Sequence, residues 1–115
     1  MSNHFHDPSD KKYMRKLRAA APDAFAGFVG FDEAAISAPS KTIPLKYTEL
    51  IALGVALTTQ CAYCIEAHTL AAKRAGATEE EVAETVFTAA ALRAGGAITH
   101  GWLAMKFFHA DDETA

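Results

Sequence analysis

Along the chain, apolar residues recur three and four positions apart, and no run alternates β-branched with polar residues over the length of a strand. That is a helical period, so the pattern predicts an all-α domain of about six helices. Gly and Pro fall between the periodic segments, at positions suited to helix ends. A first helix follows a Ser9/Asp10 cap, carries Tyr13, Met14 and Leu17 on one face and stops before Pro22. Pro22 opens a second helix through Phe25, Phe28, Val29 and Ala35, with a bend available at Gly27 or Gly30. The SAPSKTIP stretch is a linker. A third helix runs from near Pro44 to about Gln60, and a fourth from around Cys61 to Gly76, which suits the left-handed position that ends helices. Thr78 and Glu81 form a capping box for a fifth helix, which continues through Val82, Val86 and Leu92 to a break at Gly95 and Gly96. A sixth carries Ile98, Trp102, Leu103, Met105, Phe107 and Phe108.

That last segment is apolar on too many sides to stand half-exposed on a small monomer. Either it faces another subunit, which makes the chain a homo-oligomer, or its aromatic residues fill the core. Residues 1–8, where His4 and His6 flank Phe5, have no periodicity and read as a mobile N-terminal tail. Residues 9–110 read as one helical domain and 111–115 as an acidic C-terminal tail. A length of 115 residues, half of them apolar, suffices for one core. Fourteen acidic against eleven basic residues, with no basic block, give no electrostatic reason to expect a nucleic acid or an anionic membrane as partner. The start has no apolar segment after a basic one, and the inner apolar stretches are too short or too broken to span a bilayer, so a soluble cytoplasmic protein is expected. Two cysteines three positions apart do not make a secreted disulfide framework, which needs several bridges. They read as a chemical device.

The informative stretch is ELIALGVALTTQCAYCIEAH, residues 49 to 68. On a helix, Cys61, Cys64 and His68 share one face, and the His68 ring can reach Cys64 and take its proton. Glu66 falls off this stripe and is expected to be solvated. Cys61 stands at a helix start, where unpaired N–H groups and the positive end of the dipole favour a thiolate. A CxxC turn brings two sulfurs close enough to bridge, so one thiol can attack and the other resolve. Glu49 has Leu45, Ala52, Leu53 and Ala56 as helical neighbours and therefore lies on a buried face. A buried carboxylate must be paired or protonated, which suits a group that passes protons on. If the third and fourth helices form an antiparallel pair, Glu49 approaches His68; the same residues also allow a single bent helix. Tyr63 is an accessory candidate, though a tyrosine edging a core explains it better. His100 reads as a core or interface histidine, His109 and the terminal histidines as solvated. A c-type haem is excluded because Ile65 follows Cys64 where attachment needs His. Zinc held by Cys61, Cys64, His68 and Glu49 is a non-enzymatic alternative, weakened because three ligands would come from one helix face; no metal is expected.

These residues, with TLAAKRAGATEEEV following them to position 82, resemble the alkylhydroperoxidase D-like branch of the carboxymuconolactone decarboxylase superfamily. The resemblance implies an all-helical fold assembled into a homotrimer or homohexamer. It implies that Glu49, Cys61, Cys64 and His68 form a proton relay and peroxidase site, with Cys64 the peroxidatic thiolate and Cys61 the resolving thiol. The function it implies is a thiol peroxidase or disulfide oxidoreductase acting on hydroperoxides. Beyond the redox-active Cys61–Cys64 pair no cofactor is expected, and a lipoyl-bearing or thioredoxin-like dithiol protein would serve as electron donor. Alkylhydroperoxidase D carries a second histidine just before its second cysteine, where this chain has Tyr63. Lactone decarboxylation, the other activity of the superfamily, would call on Lys46, Arg74 or Arg93 to hold an anionic substrate and would leave the thiol pair unexplained.

Overall fold

A computed structural model describes residues 6–112 of the chain. Within them a 3-10 turn, Pro8–Tyr13, leads into five α-helices: α1 (Met14–Ala20), α2 (Pro22–Ile36), α3 (Leu45–Thr59), α4 (Ala62–Arg74) and α5 (Glu79–Phe108). No strand occurs among the described residues, which bears out the all-α expectation.

The local signals explain most of the boundaries. Pro22 opens α2, and its fixed φ costs nothing at a position whose N–H would be unpaired anyway. Gly76 has φ 99° and ends α4: its N–H donates to the Lys73 carbonyl, and the Ala77 N–H donates to that of Ala72. That pair of bonds closes the last turn and requires a left-handed residue. At Thr78 both halves of the capping box form, the hydroxyl accepting from the Glu81 N–H at 3.1 Å and the Glu81 carboxylate from the Thr78 N–H at 2.9 Å.

Two boundaries differ from expectation. Asp7, placed in the tail, caps the first turn, accepting from the Ser9 N–H at 2.9 Å, while Asp10 accepts from the Asp7 N–H at 3.1 Å. Residues 1–5 of the expected tail and 113–115 of the acidic one lie outside the described residues, His4 among them. Helix α2 runs unbroken through Gly27 and Gly30. The expected fifth and sixth helices are one, because α5 continues through Gly95 and Gly96. Two glycines cost about 1 kcal/mol each relative to alanine. That is too little to break a helix with good formers on both sides and no competing turn.

α3 is the centre, packed on one side by α4 and on another by α5. Leu53, Ala56 and Ala72 are buried in these contacts. Ion pairing reinforces the frame where Lys46 Nζ meets Glu81 Oε2 at 3.0 Å, and Arg93 donates to the Thr58 carbonyl at 3.2 Å. A 30-residue helix is about 45 Å long against about 22 Å for the 15 residues of α3. Half of α5 therefore projects past its partner, and Trp102, Phe107 and Phe108 are exposed rather than in a core of this chain. The α1–α2 arm likewise touches the rest only lightly at α3. The radius of gyration is 19.6 Å; a compact chain of this length has about 13 Å.

Candidate functional site

The site is built on the reversal between α3 and α4. Gln60 adopts the left-handed conformation, φ 57° and ψ 43°, and the Cys61 N–H closes back on the Ala56 carbonyl at 3.1 Å. Thr58 and Thr59 turn their hydroxyls onto the carbonyls of Val55 and Ala56. With the last turn of α3 satisfied in this way, two residues are enough to reverse the chain. The helices form an antiparallel pair, not one bent rod.

Cys61 is then the N-cap of α4, extended at φ −94° and ψ 100°, and its Sγ accepts from the Cys64 N–H at 3.2 Å. Sulfur takes the place that a Ser or Asp oxygen usually holds at a helix start. The two cysteines are joined as a disulfide, their Cα atoms 5.2 Å apart. Both are half-buried. A thiolate formed at Cys61 on reduction would inherit the same N–H donor and the positive end of the α4 dipole.

Glu49 and His68 meet across the pair of helices, with His68 Nδ1 2.6 Å from Glu49 Oε2. Glu49 is 6% exposed and His68 26%. A buried carboxylate accepting from Nδ1–H selects the tautomer that leaves Nε2 free as a base. Cys64 and His68 lie one turn apart on α4, on the same side of the helix. The structure thus brings together the four residues singled out in the sequence: Glu49 from α3, Cys61 at the reversal, Cys64 and His68 from α4.

Tyr63 does not edge a core. It is 45% exposed, donates a 2.7 Å hydrogen bond to Asp10 and has the His6 ring 4.2 Å from its own. The bond to Asp10, with some desolvation and the nearby carboxylates of Asp10 and Asp7, holds the phenol above its ordinary 10.0. No local pattern foretold this contact, since 53 residues separate its partners. Glu66 is half-buried, not fully solvated. His100 is exposed and bonds the Gly96 carbonyl of its own helix, so it is no core histidine of this chain, while His109 is exposed and paired with Asp112. The basic residues considered for an anionic substrate are dispersed: Lys46 pairs with Glu81, Arg93 binds the end of α3, and Arg74 sits in the last turn of α4, far from the cysteines.

Comparison with known proteins fits this picture. A family model described as "Carboxymuconolactone decarboxylase family" matches residues 22–107. A crystal structure of a carboxymuconolactone decarboxylase family protein from Legionella pneumophila, in its apo form, superposes with a TM-score of 0.66 at 30% identity, covering 73% of each chain. An uncharacterised protein encoded in the cox locus of Paracoccus denitrificans is 50% identical over 52 residues. That match spans 45% of this chain and 47% of the Paracoccus protein, just under half of each.

Proposed function

The chain belongs to the carboxymuconolactone decarboxylase family, and from that premise we propose that it is a thiol-dependent peroxidase or disulfide oxidoreductase of the alkylhydroperoxidase type. The observation that carries this reading is the Cys61–Cys64 disulfide at the start of α4, one turn from a His68 ring held by a buried Glu49.

In the reaction, His68 takes the proton of Cys64. The thiolate attacks the O–O bond of a hydroperoxide, which breaks with its electron pair on the departing oxygen. That oxygen leaves as alcohol or water with the proton His68 returns, and Cys64 becomes a sulfenic acid. Cys61 attacks the oxidised sulfur, water leaves and the disulfide forms. An external dithiol, for which a lipoyl or thioredoxin-like protein is the proposed source, then reduces the disulfide and is itself oxidised to one. Glu49 fixes the His68 ring and balances the charge it gains. A cytoplasmic location fits this need, because such dithiols are kept reduced there. Among the described residues no helix is long and apolar enough to cross a membrane.

We further propose a homotrimer or homohexamer. The chain exposes 9134 Å²; a compact monomer of 12.3 kDa exposes about 6,100 Å². The excess, about 3,000 Å², is on the scale buried by obligate interfaces. It lies largely where α5 and the α1–α2 arm project, and sedimentation of the purified protein tests it: a monomer at micromolar concentration refutes the assembly.

The test of the chemistry is one equivalent of peroxide on the reduced protein, with products mapped by mass spectrometry. A Cys61–Cys64 bridge in the parent and a trapped sulfenic acid at Cys64 in Cys61→Ser are expected. Sulfenic acid confined to Cys61 in the Cys64→Ser protein, with none at Cys64 in the converse variant, would exchange the roles. Lactone turnover that survives replacement of both cysteines would overturn the reading.

A further inference from the structure

Of the two residues between the cysteines, Ala62 and Tyr63, the tyrosine is gripped from outside the hairpin. Asp10 Oδ2 accepts from the Asp7 N–H at 3.1 Å and from the Tyr63 hydroxyl at 2.7 Å, so one carboxylate oxygen both caps the 3-10 turn and ties it to α4. On the same phenol the His6 ring rests at 4.2 Å, tilted by 56°, with its Nε2 shut off from solvent. Tyr63 is in the first turn of α4, whose Cys64 N–H points at Cys61 Sγ. Whatever holds Tyr63 also holds that turn, at the residue next to Cys64 in the chain. The catalytic relay uses neither Tyr63 nor the N-terminal turn.

We propose that residues 6–13 are a strap over the cysteine turn and that Tyr63 is the positioning residue through which it acts, admitting small reagents to the sulfurs and slowing bulky thiol-directed ones. The proposal rests on the reading that the Cys61–Cys64 pair cycles, and it makes the strap the element that selects among reductants by size. A reductant with a slender dithiol arm fits such an opening. A broad protein surface must first displace the strap, breaking the bond to Asp10 and the ring contact with His6.

The reduced protein has two cysteines, so alkylation reads the site directly. Rates are measured with iodoacetamide as the small probe and fluorescein maleimide as the bulky one, for the parent, Tyr63→Phe, Asp10→Ala, the double variant and Asp10→Asn. Loss of the bond in Tyr63→Phe or Asp10→Ala should raise the bulky probe's rate about tenfold relative to the small one. The double variant should gain no more than Asp10→Ala alone, which already removes that bond together with the Asp7 cap, and Asp10→Asn, which keeps an acceptor, should stay near the parent. General loosening of α4 would speed both probes alike. An unchanged ratio in the two single variants, or effects that add, overturns the strap. A parent protein that does not re-form its disulfide with peroxide overturns the redox reading instead and leaves the probe ratio intact, so the two failures are distinguishable.

Discussion

Replacing Glu49 by Gln separates the carboxylate's chemical role from its packing role. The two side chains have nearly equal volume, so the site on α3 stays filled. The amide can still accept from His68 Nδ1 through its oxygen, and only the charge is lost. A hydrogen bond to a charged group contributes about 1.5–3 kcal/mol, against about 1 kcal/mol for a neutral pair. Because Glu49 is 6% exposed and 2.6 Å from the ring, little of this difference is screened. In the proposed reaction the ring is cationic only after it takes the Cys64 proton, so the lost charge destabilises that state far more than the resting one. General-base assistance is worth about 10²–10⁴-fold in rate. Glu49→Gln should therefore cost part of that assistance and slow single-turnover oxidation of Cys64 by about tenfold, followed by rapid acid quench and mass spectrometry. Urea unfolding at fixed protein concentration should move by about 1 kcal/mol or less. Glu49→Ala adds a cavity and leaves Nδ1 unpartnered, costing about 1–3 kcal/mol more stability without a comparable further loss of rate. If Glu49→Gln oxidises at the parental rate, the carboxylate is structural and the relay argument is wrong.

Other outcomes follow from the same frame. Leu53, 2% exposed, is the largest side chain fully enclosed by α3 and its neighbours, so Leu53→Ala should cost about 2–5 kcal/mol in urea unfolding. A shift below 1 kcal/mol would show that the centre is not where the frame derives its stability. Gln60→Gly relieves a side chain from a left-handed position and should leave stability unchanged or raise it by up to about 1 kcal/mol, whereas Gln60→Val should lower it. The N–H of Thr78 first, and then the Lys46 ammonium, hold the Glu81 carboxyl below its ordinary 4.5. A depressed carboxyl contributes stability that is present above that value and is lost as pH falls through the lowered one. Glu81→Gln keeps an amide able to complete the capping box but removes the charge, so its stability should fall less steeply than the parent's as pH drops below 4.5. Parallel acid limbs would refute this assignment.

Much of the site was legible because its signals are short-range. The CxxC spacing, the histidine one turn on and the apolar neighbours of Glu49 are all fixed by helical period. The sequence left open whether α3 and α4 fold back on each other. A left-handed Gln60 decides it, and no propensity would have placed a glutamine there rather than a glycine. The Gly95–Gly96 pair misled in the opposite direction: glycines mark a break only where another conformation gains something, and here the helix continues to its own advantage. The strap was illegible for a simpler reason. Asp7 read as part of the tail and Asp10 as part of a helix cap, and what ties that turn to α4 is Tyr63, which only the tertiary structure brings to Asp10.

The chemistry and the exposed surface fall in different parts of the chain. All four residues of the proposed relay lie between positions 49 and 68, on a hairpin whose reversal satisfies its own backbone. The large exposed side chains Trp102, Met105, Phe107 and Phe108 lie in the projecting half of α5, remote in sequence from that hairpin. A polar change there, such as Trp102→Glu, should disperse the proposed assembly, because a buried charge at an apolar interface lacks a partner. The same change should leave the geometry of the Glu49–His68 pair intact. Formation of the Cys61–Cys64 bridge by one equivalent of peroxide is therefore expected at the parental rate in dispersed subunits, so long as they stay folded by circular dichroism. If folded, dispersed Trp102→Glu protein no longer forms the bridge, a neighbouring subunit must supply part of the site, and the hairpin is not the self-sufficient unit argued above.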